Sequence, residues 1–198
     1  MKTKTKRLNN LTNMLHMKQK YYNLRIILEL LKNESHLRGL SIKLETNPMM
    51  ISRKLEELSF SNVVDYKMQG KNKVYFLKKT TEAKLFVFMA EEYKLINFLE
   101  RHSEMRGIID KIQSTKNIRL AILFGSYAKN IENNKSDIDI YIETSDNRIK
   151  QDLEMLDSKL SIKIGKYDKD NLMIKEIEKS HVIIKGVEEY YENNKFFN

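Results

Sequence analysis

"FGSYAKNIENNKSDIDIYIE", residues 124–143, sets a Gly-Ser turn directly after an apolar run and follows it with two aspartates one residue apart. The run before it, "IRLAILF" at residues 118–124, is nearly continuous apolar and of strand length, so it reads as a strand buried on both faces and ended by Gly125. Gly125-Ser126 then turns the chain, and "SYAKN" starts a short helix. Backbone N–H groups at such a turn point outward and can hold a phosphate; glycine permits close approach and the Ser126 hydroxyl adds a donor. In "SDIDIYIE" the alternation is strict, with Ile138, Ile140 and Ile142 facing one way and Asp137, Asp139, Tyr141 and Glu143 the other. Two carboxylates on one face repel unless a cation lies between them, and a hard divalent ion such as Mg2+ or Mn2+ suits oxygen ligands shared with phosphates. The plainer reading of the same residues is a turn and an exposed acidic strand end.

Around this stretch, the 198-residue chain is long enough for one or two domains, and 41% of it is hydrophobic. The absence of cysteine excludes disulfides, thiolate zinc sites and cysteine nucleophiles. No apolar leader and no long uncharged apolar run is present, which makes the cytoplasm the expected location. The net charge of +9 is uneven: residues 1–80 hold 17 Lys and Arg against 6 Asp and Glu, residues 81–198 hold 19 against 21. The first part suits a polyanion; the alternative is a merely solvated lysine surface.

That basic part reads as three helices and a hairpin. "YYNLRIILELLKN" offers Leu24, Ile27, Leu28 and Leu31 as a buried stripe. A weaker helix over roughly residues 36–45 has Leu37, Leu40 and Leu44 on one side, with Gly39 as a cost to it. The third is the best signalled: Asn47 caps it, Pro48 takes the first helical position, and Ile51, Leu55 and Leu58 form its stripe. Its exposed first turns offer Met49, Ser52, Arg53 and Lys54. "NVVDYKMQ" and "NKVYFLKK", joined at Gly70-Lys71, read as a two-stranded ribbon with Val64, Tyr66 and Met68 alternating.

Residues 21–79 thus resemble a winged helix-turn-helix domain, whose second helix lies in the DNA major groove. The resemblance implies DNA as a partner, with Ser52, Arg53 and Lys54 on the recognition helix and Lys67, Lys71 and Lys73 on a wing beside backbone phosphate. Such modules also serve as protein-protein or dimerisation elements. Residues 1–20 contain no acidic residue and read as a basic arm or a loose terminus. Residues 81–105 read as a long helix with Leu85, Phe88, Met89, Leu95, Ile96 and Leu99 apolar and Glu82, Glu91, Glu92 and Glu100 polar, able to join domains or to pair with a second copy. Residues 107–114 read as another short helix. The expected division is arm 1–20, winged helix 21–80, connecting helix 81–102 and a second domain 103–198.

Gly125-Ser126, ten intervening residues and Asp137-x-Asp139, all after an apolar strand, resemble the signature of the minimal nucleotidyltransferases of the polymerase β-like superfamily. The expected fold class is therefore α+β, with an N-terminal winged helix-turn-helix and a C-terminal small mixed sheet. The resemblance implies that Gly125 and Ser126, with Lys129 nearby, bind a nucleoside triphosphate and that Asp137 and Asp139 are catalytic metal ligands for Mg2+. One departure stands out. Full catalysts of this superfamily carry a third carboxylate on a neighbouring strand, here expected over residues 159–167, "KLSIKIGKY", which has Ser161 and Lys163 instead; Asp168, Asp170 and Glu143 lie further off. The tail reads as a helix, a strand at residues 182–184, and a final helix after Gly186, with His181 and the Tyr190-Tyr191 pair expected to be structural. Two functions remain in view: transfer of a nucleoside monophosphate to a hydroxyl acceptor, or a DNA-binding regulator that senses nucleotide without chemistry. A homodimer is the expected oligomer.

Overall fold

The computed structural model describes residues 21–197, and the basic arm expected over residues 1–20 lies outside the described residues. The chain divides between Ala90 and Glu91 into two compact units.

In the first unit, α1 (Tyr22–Lys32) leads through a two-residue strand β1 (Ser35–His36) into α2 (Leu37–Lys43) and, after a short turn, α3 (Pro48–Phe60). The start of α3 follows from its local chemistry: Asn47 Oδ1 accepts from the Met49 N–H at 2.8 Å, and Pro48 occupies a position whose N–H would have no helical partner. Ile51, Leu55 and Leu58 are buried, each at 1% exposure or less, as their spacing requires. The stripe of α1 differs from the expected one. Tyr22, Leu24, Ile26, Ile27 and Leu30 are buried, whereas Leu28 and Leu31 are only half-buried, because α1 sits under both α3 and the hairpin and buries a wider arc. Gly39 has a steric reason: a Cβ there would lie 2.7 Å from Ser35 Oγ.

β2 (Val64–Gln69) and β3 (Asn72–Leu77) form the hairpin, in register Tyr66 to Tyr75 and Met68 to Lys73, with Gly70 at φ +60° in its turn. β1 adds to the other edge of β3, giving the order β1-β3-β2. Beyond Val64 the strand leaves the core: Tyr66 and Met68 are 42% and 60% exposed, as suits a wing. This is a winged helix-turn-helix.

α4 (Thr81–Arg101) begins at Thr80, whose Oγ1 accepts from the Ala83 N–H at 3.2 Å. It stops at Arg101 rather than running on to residue 105, since His102 leaves helical geometry (φ −122°, ψ 61°) before a 3-10 turn at Ser103–Met105. Its expected polar and apolar faces need correcting. Glu91 is 2% exposed, whereas Leu85, Met89 and Ile96 are each more than half exposed. The Glu91 carboxylate is partnered inside the second unit by the Lys94 ammonium, an ion pair at 2.6 Å, and by the Tyr191 hydroxyl, which donates at 3.0 Å.

The second unit continues with α5 (Arg106–Ser114), β4 (Leu120–Phe124), α6 (Gly125–Lys129), β5 (Ile138–Glu143), α7 (Arg148–Glu154), β6 (Leu160–Ile164), α8 (Leu172–Lys179), β7 (Val182–Lys185) and α9 (Val187–Asn193). The mixed sheet has the order β6-β5-β4-β7: β4 is antiparallel to β5 and β7, while β5 and β6 are parallel. One face packs Ala121, Leu123, Ile138, Ile140, Ile142, Leu160 and Ile162 against Phe98, Ile109, Ile112 and Leu153. The other face is tiled by tyrosines: Tyr141 meets Tyr167 edge-on at 6.2 Å, and Tyr167 meets Tyr190 at 6.0 Å. α9 enters through Gly186 at φ +82°, where a Cβ would run into the Arg119 carbonyl. No described helix is long and apolar enough to cross a membrane.

Candidate nucleotide and metal site

The site is built by three adjacent strands at one end of the sheet. Phe124, the last residue of β4, pairs with Asp139, and Asp139 pairs on its other side with Ser161 of β6. The Gly125 turn, Asp139 and Ser161 therefore stand in a row, with strands about 4.8 Å apart. Gly125 has φ +71°, and a Cβ on it would lie 2.5 Å from Asp139 Oδ2. Only glycine fits both the backbone and the carboxylate there. The turn and the aspartate, fourteen positions apart in sequence, are in contact.

After Gly125, α6 lasts five residues and closes on Asn130, a left-handed residue (φ 56°) whose N–H reaches back to the last turn. The connecting segment is shaped by its own side chains: Asn133 Oδ1 accepts from the Lys135 N–H at 2.9 Å, and Ser136 Oγ accepts from the Asn133 N–H at 3.0 Å. Asp137 follows, exposed and just ahead of β5; Asp139 is half-buried on the strand. Ile138 lies between them with its N–H on the Lys159 carbonyl at 2.8 Å, which fixes the strand start.

The face of β5 that carries Asp139 is not open along its length. Tyr141, two residues on, is fully buried and donates its hydroxyl to the Gly165 carbonyl at 2.9 Å; burial and the Glu143 charge push its hydroxyl pKa far above the ordinary value. Ser161 stands beside Asp139, and Lys163 beside Tyr141. Glu143 lies four residues along β5 from Asp139, about 13 Å away at strand rise. Asp168 and Asp170 belong to the loop beyond β6, at the opposite end of that strand from Ser161. A depression of about 490 Å³ lined by Gly165, Tyr167, Asp168 and Asn171 is at that far end too, away from Asp139. Among the described residues, no group of three or more His, Asp or Glu side chains could hold a metal ion. The donor set is a pair of carboxylates, which fits a Mg2+ ion that keeps several waters and shares phosphate oxygens.

The remaining expected residues are placed as follows. Ser126 is half-buried on the turn. Lys129 is bonded to Glu176 of α8, so its ammonium is already engaged. On α3, Ser52 is half-buried, Arg53 is 69% exposed in its side chain with Nε 4.0 Å from Glu57, and Lys54 is the least available, pinned 2.7 Å from Glu57 with its side chain 17% exposed. On the wing, Lys67 pairs with Glu34 at 2.5 Å, Lys73 lies 4.0 Å over the Tyr66 ring, and Lys71 is exposed beside Gly70. His181 is structural: its Nδ1 is 2.8 Å from the Ile177 carbonyl, and burial pulls it down to about 4. Sequence reasoning missed His102, whose ring contacts Tyr127 of α6 and Glu132 of the connecting segment; a histidine at a helix end gives no periodic signal.

No curated protein sequence matches the chain. Among solved structures, the chain is similar to the adhesin competence repressor AdcR of Streptococcus pyogenes (17% identity, 55% of this chain and 91% of that one, TM-score 0.40). It is similar as well to the transcriptional repressor BigR of Xylella fastidiosa (24%, 43% and 84%, TM-score 0.30) and to the homodimeric winged helix-turn-helix DNA-binding domain Mb0332 of Mycobacterium bovis (19%, 41% and 79%, TM-score 0.32). Residues 106–190, which carry the turn, both aspartates and all four strands of the mixed sheet, match the family described as polymerase beta, nucleotidyltransferase.

Proposed function

We propose that the second unit binds a nucleoside triphosphate with Mg2+ and transfers its nucleoside monophosphate to a hydroxyl acceptor, the α–β phosphoanhydride bond breaking and pyrophosphate and the hydroxyl proton leaving, and that the winged helix brings this activity to DNA. The observation that carries the reading is the contact between the Gly125 turn and Asp139, a place with no room for a Cβ. In this reading, Gly125 and Ser126 receive the terminal phosphates through backbone N–H groups and the Ser126 hydroxyl. Asp137 and Asp139 hold the metal, whose charge, when bound, neutralises phosphate and makes the acceptor hydroxyl a better nucleophile. Lys129 must leave Glu176 to reach phosphate. Incubation with labelled triphosphate and Mg2+, alone and with cell extract, should give label transfer that an Asp137→Ala/Asp139→Ala double variant loses; transfer indifferent to the aspartates would refute it.

A second reading is favoured by one specific feature, Ser161 beside Asp139 where a third carboxylate would serve the attacking hydroxyl. Without that base the proton-transfer step loses about 10^2- to 10^4-fold. The unit would then bind nucleotide as a sensor, shifting DNA affinity only through differential binding to two conformations. Triphosphate binding without label transfer is its signature. For either reading, DNA affinity should fall steeply as salt rises and should weaken in Arg53→Ala and Lys71→Ala variants. A homodimer reading two half-sites fits such a domain, and sedimentation with and without DNA tests it.

A further inference from the structure

His102 directly follows α4 and touches the parts of the chain that separate the phosphate turn from the aspartates. Its ring centroid lies 4.6 Å from Phe98 in the last turns of α4 and 5.2 Å from Tyr127 on α6. Nδ1 is 3.3 Å from Glu104 Oε1 in the 3-10 turn, and Nε2 is 3.4 Å from Glu132 Oε1 in the segment leading to Asp137. The Glu132 contact is at ion-pair distance without hydrogen-bond geometry, so His102 Nε2 and Glu132 Oε2 are buried atoms with no hydrogen-bond partner among the described residues. One position earlier, Arg101 donates to the Asn130 side chain, and Asn130 is the left-handed residue that closes α6. Arg101, the last residue of α4, and His102, just after it, thus hold positions 130 and 132 of the connecting segment.

A neutral imidazole has one N–H and one bare lone pair. With a carboxylate facing each nitrogen, the neutral ring would aim its lone pair at an anion on one side; a ring carrying both protons would satisfy both. The charged and titratable groups around it are Glu104 from the 3-10 turn, Glu132 from the connecting segment, and the Tyr127 hydroxyl from α6, which also feels Asp157. The Arg101 guanidinium is directed to Asn130 instead.

We infer that His102 is a positioning residue: clasped between Glu104 and Glu132, it fixes residues 130–137, the segment that sets Asp137 relative to the Gly125-Ser126 turn, and the clasp closes when the ring carries both protons. The significance of the clasp for nucleotide rests on the reading proposed above; the clasp itself does not. The test is amide hydrogen exchange of residues 131–137 in the full chain without nucleotide, corrected for intrinsic rates, at about pH 5.5 and about pH 8.5. Protection in that segment should fall about tenfold on going alkaline, while β4 and β5 stay unchanged. Glu132→Gln, which keeps the His102 stacking, should show the low protection at both pH values, and His102→Gln should match it. Protection that is independent of pH, or that changes equally in Glu132→Gln, overturns the clasp. In parallel, triphosphate and Mg2+ are titrated calorimetrically: affinity in the wild type relative to Glu132→Gln should weaken about tenfold over the same interval, the ratio cancelling the triphosphate's own proton loss. Exchange that switches in a protein that binds no triphosphate upholds the clasp and removes the nucleotide reading; triphosphate binding with pH-independent exchange does the reverse.

Discussion

The same face of β5 presents Asp139 at one end and Tyr141 in the middle, two residues apart in strict alternation, yet their surroundings differ completely. Tyr141 is sealed at 0% exposure by Tyr167 and by its bond to Gly165, while Asp139 stays half-exposed against a glycine that cannot carry a side chain. Alternation alone would make this a solvent-facing acidic strand. The difference teaches that the protein covers the middle of this face with aromatic side chains and leaves Asp139 half-buried where the turn meets the carboxylate.

Several substitutions separate the two ends. The largest effect is expected from Gly125→Val, which adds a Cβ and strains a positive φ at once: Asp139 must move, and triphosphate binding and label transfer should drop by more than about 100-fold, while thermal unfolding shows a loss of about 1–3 kcal/mol. Wild-type binding in that variant would show that the open end is incidental.

The aromatic layer is tested by pH through His181, whose ring lies 4.7 Å from Tyr190. Burial, helped by the nearby Lys94 charge and opposed by Glu91, brings the folded His181 pKa from 6.5 to about 4. The unfolded chain therefore takes up this proton first. The stability held by neutral His181 is complete above about 6.5 and drains away as pH falls to about 4, amounting to about 3 kcal/mol at most. Denaturant melts across that interval should show this slope in the wild type and a shallower one in His181→Gln.

Tyr141→Phe keeps the tile and removes the hydroxyl bond to Gly165, so unfolding should change by about 1 kcal/mol with nucleotide binding untouched. The smallest effect belongs to Glu176→Gln, which frees Lys129 at the surface; triphosphate affinity should rise at most a few-fold, measured at low salt.

Much of this architecture was legible from local chemistry. Asn47-Pro48 announces α3 because capping needs only adjacent residues, and the turn-to-aspartate spacing announces the contact of Gly125 with Asp139 because an antiparallel pair brings the end of one strand opposite the start of the next. The place of Ser161 beside Asp139 could be anticipated too, since β6 has few registers that keep Leu160 and Ile162 in the core. What stayed hidden depends on partners remote in sequence. Glu91 looks like a solvent residue until Tyr191, a hundred residues later, donates to it. Leu28 and Leu31 look like core until the hairpin rotates the buried arc of α1 toward Ile26 and Leu30. His102 and Glu132 meet only after α4 and the connecting segment have folded together.

The central claim is tested most directly by calorimetric titration of a nonhydrolysable triphosphate with Mg2+ into the wild type and into Asp137→Asn/Asp139→Asn. We expect saturable heat from the wild type, dependent on the metal, and none from the variant. Equal heats from both proteins, or no heat from either, would contradict it.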